Sequence, residues 1–128
     1  MKIMKDSTAH LHLICEDFKR TLQFYKSEIP FYKKRLEEIS IKNTAEEIRK
    51  QVEHFENTFI AMNENLDVLM HDVNIKQDAI LKDAKEKPDF INLKVNETAD
   101  DLKALIDFTA KEFAETKEHF YRFLSEHL

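Results

Sequence analysis

The chain has 128 residues, of which 42% are hydrophobic and 35% charged, with two prolines, one cysteine and neither glycine nor tryptophan. That length suits one domain, spanning 1–128, with a real core. Hairpin turns, phosphate-cradling loops and dinucleotide fingerprints rely on glycine, so its absence argues against a β-rich, Rossmann or P-loop protein. The 20 basic and 25 acidic residues leave a net charge of −5, which disfavours nucleic acid as a partner.

The charge is uneven along the chain. Residues 1–42 carry nine basic and six acidic side chains (+3), residues 43–84 four and nine (−5), and residues 85–128 seven and ten (−3). Cys15 is the single cysteine, so neither an internal disulfide nor a cysteine-based zinc site can form. No apolar run approaches a membrane span, and the N-terminal residues lack the apolar core of a secretory signal. These features predict a cytoplasmic protein with no membrane span.

The first third carries apolar residues at Leu11, Cys15, Phe18, Leu22, Tyr25, Ile29, Tyr32, Leu36 and Ile39. Their spacing alternates strictly between four and three, which is an a/d heptad seam. Asp6 or Ser7 is the expected cap. Pro30 falls within this helix, where it removes one amide donor and costs about 3 kcal/mol. The seam keeps its phase across it, so the helix is expected to kink near Pro30. A wide break there would give four helices.

The second third continues with Ala45, Ile48, Val52, Phe55, Phe59, Met62, Leu66, Leu69 and Val73. Thr44 with Glu47 reads as a capping box at its start. Lys76 interrupts the seam before Ile80. In the last third the seam is Ala99, Leu102, Ile106, Thr109, Phe113, Thr116, Phe120 and Phe123. The start of this helix is open between Asp89 and Thr98, because Phe90 to Val95 also has strand-like character. Three long seams joined by short turns predict an all-α fold, an elongated up-down-up antiparallel three-helix bundle with coiled-coil-like packing.

Six histidines, at 10, 12, 54, 71, 119 and 127, raise a metal or ligand hypothesis. Turn positions place His54 level with His119, and His71 level with His12 and Glu16. Their heptad positions argue against an inward metal centre, since His54 is a c residue and His71 an f residue, both turned away from the core. Histidine phosphotransfer needs a nearby cation to stabilise the phosphoryl group, and His54 and His71 have none adjacent in sequence. His119 has Arg122 but is crowded by Phe120 and Tyr121. Cys15 lies on the seam, where a small buried hydrophobe is the usual role. No catalytic, metal or cofactor residue is therefore assigned.

A second set of apolar residues lies off the seams. Phe24 and Phe31 are two turns apart on the first helix, and Val68 and Ile75 two turns apart on the second; Phe108, beside Leu105, is on the third. Contiguous exposed apolar surface marks partner sites. Phe24, Phe31, Val68, Ile75 and Phe108 are the predicted contacts of a non-enzymatic bundle that binds a protein partner or a second copy of itself. The alternatives are a metal- or ligand-binding bundle using His and carboxylate side chains, and a histidine phosphotransfer bundle.

Overall fold

A computed structural model describes residues 2–86 and 91–128, with side chains for 8–86 and 94–128. Three helices account for nearly all of it: α1 (Lys2–Lys42), α2 (Glu46–Glu86) and α3 (Ile91–His127). No strand occurs among the described residues. At 1.5 Å per residue the two 41-residue helices are about 60 Å long and the 37-residue helix about 55 Å.

Cross-helix pairs give the directions. On α1 and α2, Tyr32 meets Phe59 and Lys26 bonds Asp67, so one number rises as the other falls and the helices are antiparallel. Phe55 with Phe123, and Asp83 with Lys94, show the same for α2 and α3. Tyr25 with Phe113 and Tyr32 with Phe120 run in step, so α1 and α3 are parallel. The topology is up-down-up.

The predicted seam is the core. Leu11, Cys15, Phe18, Leu22, Ile29, Leu36 and Ile39 are buried on α1, facing Val52, Phe59, Leu66 and Val73 of α2 and Leu102, Phe113, Phe120 and Phe123 of α3. Its centre is aromatic. Tyr32 lies within 5.3 Å, ring centre to ring centre, of both Phe59 and Phe120, and Phe59 meets Phe120 edge-on at 5.0 Å. Such tilted and edge-on pairs add to area burial because ring edges and faces carry opposite partial charge.

Several boundaries differ from expectation. Helix α1 begins by Lys2, ahead of the expected caps Asp6 and Ser7, and runs unbroken through Pro30. The four-helix count is thereby excluded. Pro30 and Lys26, whose carbonyl loses its usual donor, are both exposed, so water can satisfy that carbonyl. At the start of α2 the first carbonyl to enter the ladder is that of Ala45, which accepts from Arg49 N at 3.0 Å. Ala45 is thus the N-cap and Thr44 lies one residue outside, against the expected box. Ile91 to Val95 are helical, which overturns both the strand-like reading and a start at Thr98. Pro88, Asp89 and Phe90 lie outside the described residues.

Candidate functional site

The five predicted contact residues are all on the surface. Phe24, Phe31, Val68, Ile75 and Phe108 are between 53% and 67% exposed, although each is large and apolar. Their helices have complete buried seams without them.

Their directions follow from the polar pairs. On α2 the b residues Asp67 and Asn74 bond Lys26 and Lys19 of α1. Val68 and Ile75 come one residue later, 100° further round, past α1 and onto the flank toward α3. On α3, Glu115 and Arg122 line clefts shared with α2. Phe108 precedes Glu115 by two turns on the same stripe. The Phe55–Phe123 and Asp83–Lys94 pairs place it level with residue 69 or 70 of α2, beside Val68. One apolar flank therefore comprises Val68, Ile75 and Phe108.

Phe24 and Phe31 form a separate flank. Lys19 and Lys26 turn the e side of α1 toward α2, and the c residues point 160° away from that side. Sequence reasoning missed Tyr121, which is 48% exposed and lies edge-on to Tyr32 at 6.2 Å. Its b position gave no sign of this, because only the parallel register of α1 and α3 brings it close. Lys117 Nζ sits 5.4 Å from the centre of the Tyr121 ring, a cation–π distance.

The histidines fall into separate groups along the bundle. His54 and His119 line the same two clefts between α2 and α3, as their estimated levels implied. His12 joins a polar layer with α2 instead. Gln77 Nε2 lies 2.7 Å from His12 Nδ1 and donates to Glu16 Oε1 at 3.1 Å, while Lys19 Nζ donates to Gln77 Oε1 at 2.8 Å. The expected level of His71 with His12 and Glu16 is not met: the Lys26–Asp67 and Lys19–Asn74 bonds set the exposed His71 level with Leu22, and Gln77 stands opposite Glu16 instead. Among the described residues, no group of three or more His, Cys, Asp or Glu side chains is arranged to hold a metal ion.

Three titrating groups are displaced by these surroundings. Hydrogen bonds from Lys19 and then Gln77 hold the Glu16 carboxyl below its ordinary range. Burial pushes the Cys15 thiol up, with the positive charge of Lys19 acting weakly against it. A raised, buried thiol is a poor nucleophile. Tyr32 is driven well above the ordinary phenol range, first by burial and then by the bond its hydroxyl donates to Glu28 Oε2 at 3.0 Å.

No helix among the described residues is long and apolar enough to cross a membrane. Compared with known proteins, the chain matches no family model, no curated protein and no solved structure.

Proposed function

We propose that this chain is a non-enzymatic helical-bundle protein that works by binding protein, a second copy of itself or another chain, through its exposed apolar flanks. One observation carries this reading: five large apolar side chains on c positions stand more than half exposed over a core that is already full. Burying one such side chain is worth roughly 1.5–3 kcal/mol. Two stripes at two-turn spacing match the way helices pack side by side. A reducing, cytoplasmic setting suits the buried free thiol of Cys15.

The test is sedimentation of the wild type beside Phe24→Ser/Phe31→Ser and Val68→Ser/Phe108→Ser over a wide concentration range, together with capture from the native host. The expected result is a wild-type complex that at least one double variant loses. A wild type that stays monomeric and captures nothing that either variant releases would overturn the reading.

A further inference from the structure

Lys50 and His54 of α2, with His119 and Arg122 of α3, line one open cleft of about 350 Å³. Its floor is formed by Phe55 and Phe123, whose ring centres are 5.0 Å apart. Gln51 and Glu126 complete the rim. A second depression of about 320 Å³ continues from it toward Glu115 and Thr116, and shares His54, Phe55 and His119 with the first. The two imidazoles therefore stand where the depressions meet.

This concentration of nitrogen donors needs a reason, because both contributing segments are net acidic, −5 for residues 43–84 and −3 for residues 85–128. The carboxylates nearby leave the donors largely uncommitted. Arg122 gives one bond to Glu118, at 2.9 Å, out of the five N–H donors a guanidinium carries. Lys50 stands 3.9 Å from Glu46, with both side chains about three-quarters exposed or more, a pairing worth little in water. Glu126 lies 3.8 Å from His127.

We propose that this cleft binds a small phosphate monoester with a planar apolar body. The phosphoryl oxygens match an ammonium, a guanidinium fork and two imidazoles, which together offer more donors than a single carboxylate could accept. The apolar body lies on the Phe55 and Phe123 rings. The cleft falls within the size of small-molecule pockets, roughly 300–1,000 Å³, and uses none of the apolar contact residues.

The experiment is titration of the full chain with phenyl phosphate, inorganic phosphate and phenol, followed by amide and imidazole NMR. Phenyl phosphate should bind about five-fold or more tighter than inorganic phosphate, through the apolar floor, with shifts centred on residues 50–58 and 115–126. Lys50→Ala/Arg122→Ala should weaken it about ten-fold or more, and His54→Gln/His119→Gln should also weaken it, all with unchanged helical circular dichroism. Lys111→Ala, an exposed charge elsewhere on α3, serves as the control and should leave affinity unaltered. Equal binding of phenyl and inorganic phosphate, shifts spread over other surfaces, or an equal loss in Lys111→Ala would overturn the site.

Discussion

Lys19 Nζ donates to the side-chain oxygen of Gln77 at 2.8 Å, across the α1–α2 interface and one turn from the buried thiol of Cys15. The bond completes a buried amide. Gln77 is 8% exposed, and its nitrogen faces His12 Nδ1 and Glu16 Oε1. Lys19 also reaches Glu16 at 3.0 Å and Asn74 at 3.1 Å. A fully partnered amide within an apolar seam costs desolvation yet admits few alternative alignments. Buried polar residues at helix interfaces are best attested in setting register.

Gln77→Leu should therefore be neutral or stabilising, with the denaturation midpoint unchanged or raised. The groups released, Lys19, Glu16 and His12, are partly exposed and can take water in place of the amide. The same variant should populate slipped α1–α2 alignments, seen as doubled amide peaks. A loss above about 2 kcal/mol would show instead that the polar layer is net stabilising.

The Glu16 carboxyl gives this layer a pH dependence with a fixed sign. Its folded-state pKa lies below the unfolded value, because Lys19 and Gln77 bond the charged form. Such a group stabilises the fold above the unfolded carboxylate range, and its contribution is lost as pH falls through the lowered folded value. Acidification should loosen the α1–α2 contact around Cys15, measured as lower amide protection, relative to the intrinsic exchange rate at each pH, in residues 11–19 and 73–80. Glu16→Gln should flatten that response. An unchanged profile in the variant would assign the effect to another group.

How far the sequence foretold this arrangement depends on the residue. Leu11 through Ile39 were legible because the a/d positions are apolar and, apart from the half-buried Tyr25, buried. The break at Lys76 was visible, but its resolution was not. The helix places Gln77 inward and Lys76 outward, so buried positions run 69, 73, 77 and 80. Gln77, an e residue, takes the place of the d residue Lys76, and Ile80, seven residues after Val73, is back in phase. A polar residue in a seam carries no hydropathy signal; only its partners on α1 make it intelligible. The meeting of His54 with His119 was legible from the turn positions, whereas the Phe55 and Phe123 floor beneath them needed the packed helices.

Core substitutions should separate buried from surface positions sharply. Phe59 is fully buried against Tyr32 and Phe120, and Phe113 stacks on Tyr25 at 4.1 Å. Phe59→Ala and Phe113→Ala should each cost about 3–5 kcal/mol by chemical denaturation, through lost ring burial and the cavity left behind. His54→Ala, at an exposed position, should stay within about 0.5 kcal/mol of wild type. A large loss at His54 would mean that this imidazole holds α2 to α3.

The two apolar flanks can be told apart because both stand outside the buried core. Phe24 and Phe31 lie on the side of α1 turned away from α2, while Val68, Ile75 and Phe108 lie along the α2–α3 side. Each replacement by serine removes an exposed ring or branched chain, so stability should change by no more than about 0.5 kcal/mol per site. Association, in contrast, should lose roughly 1.5–3 kcal/mol per side chain that a partner covers, or about ten-fold or more in dissociation constant. Because the flanks point apart, a partner seated on one leaves the other free. Phe24→Ser/Phe31→Ser and Val68→Ser/Phe108→Ser should therefore differ in sedimentation, one releasing the partner and the other retaining it. If both double variants weaken association equally while keeping wild-type unfolding curves, the partner must wrap around the bundle and contact both flanks at once.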